Sequence, residues 1–234
     1  MCGRFNVNKL ADALLILFGI EDGHDATPRY NIAPTQPLAA VRENAQSGMR
    51  ELCFLRWGLI PHWAKDPTIG NRMINARAET AAEKPSFRGA MRYRRCLIPA
   101  HGYYEWKKMS AGKQPYNVRM KDGAPFAFAG LWEIWQGPDG GAVESCTILT
   151  TEPSARLRAI HHRMPVILPP EEYDRWLDID EKNPAAVVPL LRPYPHEALI
   201  AVPVSPYVNN PKNDDPRCIE PVEPDAGRDE TNGR

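Results

Sequence analysis

The chain opens Met1-Cys2-Gly3-Arg4-Phe5, and removing one methionine leaves Cys2 with a free α-amine beside its thiol. Such a 1,2-aminothiol captures aldehydes. The amine condenses to an imine, and the thiolate then closes a five-membered thiazolidine ring. Ordinary pKa values of about 7.7–8.0 for the amine and about 8.5 for the thiol leave useful fractions of both nucleophiles near neutral pH. A Met-Cys start is also a common accident, so other residues must give it meaning.

Three further segments carry groups suited to such chemistry. In Asn75-Ala76-Arg77-Ala78-Glu79-Thr80, Asn75 can both donate and accept, and so orient an amine, a hydroxyl or a carbonyl. Arg77 shares its side of an extended backbone and offers a fork to a phosphate. The competing reading is an asparagine in a turn beside a surface arginine. Glu105 stands between Tyr103-Tyr104 and Trp106, where desolvation raises a carboxyl pKa and suits it to general acid or base work. In Ile160-His161-His162-Arg163, one histidine can transfer a proton near neutral pH, and Arg163 is a second phosphate clamp. Adjacent histidines are expected to face apart and make poor joint metal ligands. With no HExxH motif, glycine-rich phosphate loop or carboxylate cluster, no metal or cofactor is expected.

The elements that must position these groups read as short strands. Apolar runs at 51–57, 95–98, 116–120, 126–131, 146–150, 165–168 and 199–204 lie between turn residues, and 24 prolines and 16 glycines exclude long helices. Helical spacing of Leu10, Leu14, Leu17 and Phe18 predicts a helix over 8–18, stopped by Gly19. A second helix is expected over 171–177, entered by Pro169-Pro170. The reading is α+β: one β-rich domain over 1–220 and a polar, disordered tail over 221–234. The first helix follows Cys2 closely, so the cysteine sits on a short tether.

Composition limits the function classes. Lys+Arg and Asp+Glu are both 29, so a nucleic-acid partner needs a local basic surface. Arg72, Arg77, Lys84, Arg88, Arg92, Arg94 and Arg95, opposed only by Glu79 and Glu83, are candidates for one; a solvated face is the alternative. The five scattered cysteines lack a CxxC pair, against a disulfide framework, and Cys53, Cys96 and Cys146 read as buried small hydrophobes. No run of 18 apolar residues occurs, so a membrane is not expected, and the reading is a cytoplasmic monomer.

In order along the chain stand MCGRF, RYNIAPTQ, RWGLIPHWAKD, INARAET, RRCLIPAHGYYEWKK, FAGLWE, TILTT, IHHRMPVIL and PVSPYVNN. This series resembles the SOS-response-associated peptidase (SRAP) family, which implies a barrel-like sheet core. It also implies processing of abasic sites in single-stranded DNA, with nucleoid association when bound. There the processed cysteine forms a reversible thiazolidine crosslink with the ring-opened sugar aldehyde. Carried over, Cys2 is the nucleophile and Asn75 holds its amine or the sugar hydroxyl. Glu105 is the acid/base for imine formation and methionine removal, and His161 moves a proton to the opening sugar. Arg4, Arg77 and Arg163 grip phosphates, Thr150 shares the cleft, and Pro34 wedges against a displaced base. The family's aromatic pair is here reduced to Trp63-Ala64. Two rival readings are an N-terminal-cysteine amidohydrolase of the glutaminase kind and a non-covalent single-strand-binding module.

Overall fold

Short β-branched and aromatic runs, punctuated by proline and glycine, fold into strands that must bury both faces. The structure, a computed structural model, describes residues 2–21, 27–110, 112–195 and 197–223. The chain runs β1 (Phe5–Val7), α1 (Leu10–Phe18), β2 (Arg29–Ile32), β3 (Pro37–Glu43) and β4 (Arg50–Trp57). It continues with β5 (Asn75–Arg77), α2 (Ala78–Ala81), α3 (Arg88–Tyr93), β6 (Arg95–Ala100), β7 (Gly102–Met109) and β8 (Gly112–Met120). Then come β9 (Phe126–Gln136), β10 (Ala142–Thr151), β11 (Met164–Pro165), β12 (Ile167–Leu168), α4 (Tyr173–Leu177), α5 (Pro184–Val187) and β13 (Leu199–Pro203).

Five strands close on themselves. β4 pairs β3, β3 pairs β6, β6 pairs β9, β9 pairs β10, and β10 returns to β4 in parallel. The β-rich α+β class is as read from the sequence, and the barrel-like core is as the family resemblance implies. Closure leaves these five with no bare edge. β9 shows why the ring packs tightly: a side chain at Gly130 would meet Cys96 Sγ at 2.8 Å and Ile98 Cδ1 at 2.9 Å. A second sheet, β13-β8-β7-β1-β2, lies beside the ring. Phe5 joins the two. It is buried and stands edge-on to Trp57 and Phe128, with ring centroids 5.4 and 5.7 Å away. Burying such a side chain contributes about 1.5–3 kcal/mol, which anchors the N-terminus three residues from Cys2.

Several elements differ from the sequence reading for local reasons. α1 starts at Leu10 rather than residue 8, and its stop is as expected: Gly19 takes φ 67° while its N–H bonds to Leu15 O. Proline-set geometry turns 170–172 into a 3₁₀ turn ahead of α4. The expected strand 165–168 divides at Val166, which accepts from Ala129 and donates to Leu149. β1, β2, β3, β5 and β7 were not expected; three of them have four residues or fewer.

Cys96 and Cys146 are fully buried and Cys53 half-buried, and all five cysteines are free. Arg95 departs from the expected basic surface. It is buried, and its guanidinium donates to the carbonyls of Met91, Arg92, Trp176, Asp178 and Glu181, locking the 176–181 turn to β6. Val222 still donates to Pro203 O, and residues 224–234 of the expected tail lie outside the described residues. Among the described residues no helix is long and apolar enough to cross a membrane.

Candidate active site at the N-terminal cysteine

Two strands act as spines for the site. β10 holds β5 in parallel register, Ile148 beside Asn75 and Thr150 beside Arg77. On its other side β10 holds β11, Thr150 opposite Pro165, which brings in the segment of His161 and Arg163. β1 lies between β2 and β7, and Tyr104 N–H donates to Arg4 O at 2.9 Å, so Glu105 arrives alongside the first residues.

Cys2 is fully buried, and its thiol lies 3.8 Å from Arg4 O. Burial, reinforced by the Glu105 charge, pushes the thiol well above its ordinary range. Asn75 Nδ2 donates to Cys2 O at 2.7 Å. Asn75 Oδ1 is buried and has no partner among the described residues, so it remains an acceptor for an incoming donor. Glu105 is buried, and desolvation raises its carboxyl to about 7. His161 Nδ1 stands 3.9 Å from Glu105 Oε1. The same Nδ1 lies 3.1 Å from both the backbone nitrogen and the carbonyl oxygen of Arg163. Burial holds His161 toward its neutral form. The two histidine rings do not face apart: they lie 4.3 Å centroid to centroid at 33°, with His162 outermost and exposed. The Cys2 thiol, a carboxyl raised to about 7 and an imidazole held toward its neutral form are therefore clustered together. That set can condense an amine with an aldehyde and move the protons the condensation requires.

The phosphate candidates are differently disposed. Arg77 is exposed and has no ion pair among the described residues. Arg163 is mostly buried, and its fork holds Glu79 at 2.7 and 2.8 Å and Thr150 O at 2.5 Å. Thr150 is buried, donating to Ala76 O at 3.3 Å. Arg4 is braced by Asn31 Oδ1, Val208 O and Asn209 O. Pro34 is half-buried in a turn closed by Gln36 N–H to Ala33 O, with Thr35 at φ 73°. A β-branched residue with that φ is strained by about 1–3 kcal/mol. The pairing of Phe5 with Ile32 carries this turn toward the cysteine end of β1.

A profile of the SOS response associated peptidase (SRAP) family matches residues 1–211. The chain belongs to this family. The Bacillus subtilis abasic site processing protein YoqW is 43% identical over 224 residues, covering 94% of this chain and 99% of that protein. The chicken abasic site processing protein HMCES is 34% identical over 226 residues, 84% of this chain and 67% of that protein. A crystal structure of a protein from Bacteroides thetaiotaomicron superposes with a TM-score of 0.83 at 28% identity, covering 95% of this chain and all of that one.

In this SRAP chain the supports of the site were the part sequence reasoning missed. Asn31 accepts from Arg4 and donates to Val208 O, Asn210 O and Asn213 O, while Asp214 accepts from the backbone N–H of Tyr30 and Asn31. Glu79 was likewise read only as a charge opposing a basic patch. Its place as the second residue of α2 gave no sign of a partner 84 residues further on.

Proposed function

We propose that this protein captures abasic sites in single-stranded DNA as a covalent thiazolidine through Cys2 after Met1 is removed. The observation that carries this reading is one cluster in which Asn75 donates to Cys2 O while Glu105 stands beside the Cys2 thiol and His161.

The order of events follows from the chemistry. Hydrolysis of the Met1–Cys2 peptide bond consumes one water and frees the amine, with Glu105 as acid/base. His161 in its protonated form gives a proton to the ring oxygen of the closed sugar while the Glu105 carboxylate takes the proton of the C1′ hydroxyl, so the C1′–O4′ bond breaks and the aldehyde is exposed. The Cys2 amine adds to that carbon, Glu105 protonates the departing hydroxyl, and water leaves as the imine forms. The thiol then adds to the imine carbon as its proton passes to the nitrogen. A carboxyl near pH 7 can serve as acid in one step and base in the next. Reversal runs through the same groups.

Asn75 fixes the Cys2 backbone and offers Oδ1 to the amine or the sugar hydroxyl. Arg77, Arg4 and Arg163 line the phosphate path, Thr150 backs Arg163, and the strained Pro34 turn wedges against a displaced base. A single strand is favoured because no pairing partner has to be expelled and the backbone bends freely at the lesion. The protein acts as a monomer, with its peptidase activity confined to Met1.

Intact mass after incubation with an abasic single strand tests this. The expected mass is that of the chain without Met1 plus the oligonucleotide, less one water. Cys2→Ala is expected to abolish the adduct on denaturing gels while native gels still show binding. An adduct that persists in Cys2→Ala overturns the mechanism. Release of ammonia from glutamine, with no adduct, would favour an amidohydrolase instead.

A further inference from the structure

The β7–β8 hairpin carries a feature the chemistry above leaves unused. From Trp106 to Met120 the sequence contains Lys107, Lys108, Lys113 and Arg119 and no acid. In the hairpin register Lys108 stands directly opposite Lys113. Both are exposed, and among the described residues neither is paired with a carboxylate. Like charges placed opposite each other across two strands destabilise the pair. The fold carries that cost without a counter-charge of its own.

The pair is also well placed. Directly opposite residues share a face of a sheet, and side chains alternate along a strand. Lys108 and Lys113 therefore stand on the same face as Trp106, two residues back from Lys108. Trp106 is half-buried, and its Nε1 donates to Asn209 Oδ1 at 2.7 Å. Asn209 O in turn receives Arg4 at 3.4 Å. Hydrogen bonds thus lead from the N-terminal segment through Asn209 to Trp106, which shares its sheet face with the lysine pair. Burial chiefly, and the charges of His162 and Lys113 after it, disfavour protonation of His161.

We propose that Lys108 and Lys113 form a phosphate seat for the single strand entering the Cys2 site, separate from Arg77 and Arg163. This rests on the DNA reading given above. Lysines around an indole match the alternation of phosphate and base along a single strand. An acidic peptide would offer charge to the pair and no ring for Trp106.

Lys108→Glu distinguishes a seat from a structural role, because it turns the like-charged pair into an opposite-charged one. Melting temperature is expected to hold or rise. Affinity for a short unmodified oligothymidine strand is expected to fall about tenfold at low salt, and the slope of log K against log salt to become shallower by about 1.4. Lys108→Gln combined with Lys113→Gln should shift the slope in the same sense. Crosslinking at saturating abasic strand should be unchanged in both. If the unaltered protein binds the strand and both variants match its affinity and slope, the seat is wrong and the DNA reading stands. If the unaltered protein ignores the strand, both fall. Weak binding with a lowered melting temperature in both variants would make the lysines part of the fold and overturn the seat.

Discussion

Asn75 Nδ2 holds the carbonyl oxygen of Cys2 at 2.7 Å, tying the second residue of the chain to a strand 73 positions on. The bond fixes the backbone from which both the amine and the thiol of Cys2 project. Asn75→Asp replaces the donor with an acceptor and leaves the partly buried Cys2 carbonyl without its partner. A cost of about 1–3 kcal/mol is expected, read from thermal melting. Single-turnover crosslinking on denaturing gels should slow at least about tenfold, since loss of about 1.4 kcal/mol of positioning is a factor of ten. A variant that crosslinks at the original rate would remove Asn75 from the site.

Glu105 makes the pH dependence specific. Its carboxyl rises from 4.5 unfolded to about 7 folded because burial disfavours its charge. Between these values the native chain keeps a proton that the unfolded chain has lost. This contribution is therefore lost as pH rises from about 4.5 to 7, on the order of a few kcal/mol. Glu105→Gln should flatten that part of the stability curve measured by denaturant melts. It should also slow crosslinking and leave Met1 in place by intact mass. An unchanged pH profile would mean that Glu105 does not titrate in this range.

His161→Ala is expected to slow release of the DNA from a preformed crosslink more than it weakens binding. Release is followed by chasing with a trapping amine. His162→Ala, which removes the exposed ring, should change release little. If the two variants release alike, the proton transfer belongs elsewhere.

Phe5 tests the tether. Phe5→Ala empties a site packed by Trp57 and Phe128 and should cost about 3–5 kcal/mol, seen as a lower melting temperature. At a temperature where the variant is still folded, crosslinking should also be slower, because Cys2 would hang from a looser strand. Equal rates would show that the Asn75 bond alone positions the cysteine.

Long buried strands were legible because a continuous apolar run bounded by turn residues has few other fates. β9 and β10 are of this kind, although each runs past its expected end. β5 was not legible: three residues, Asn75 to Arg77, gain their strand character only from the parallel partner β10. Residues of the candidate site stood out by type, as Cys2, Glu105 and His161 did. Their supports did not. Arg95 looks like its exposed neighbours in sequence, and only the carbonyls converging on it reveal a buried strut. Asn31 and Asp214 are ordinary polar residues until the fold sets them side by side.

The brace on Arg4 has a consequence in time. Its acceptors Val208 and Asn209 lie 204 and 205 residues downstream. The segment beside Cys2 is completed by residues more than 200 positions further on, so its final geometry waits until that distant part of the chain has folded back onto it. On the proposed reading, aldehyde capture through Cys2 begins only once that closure is made.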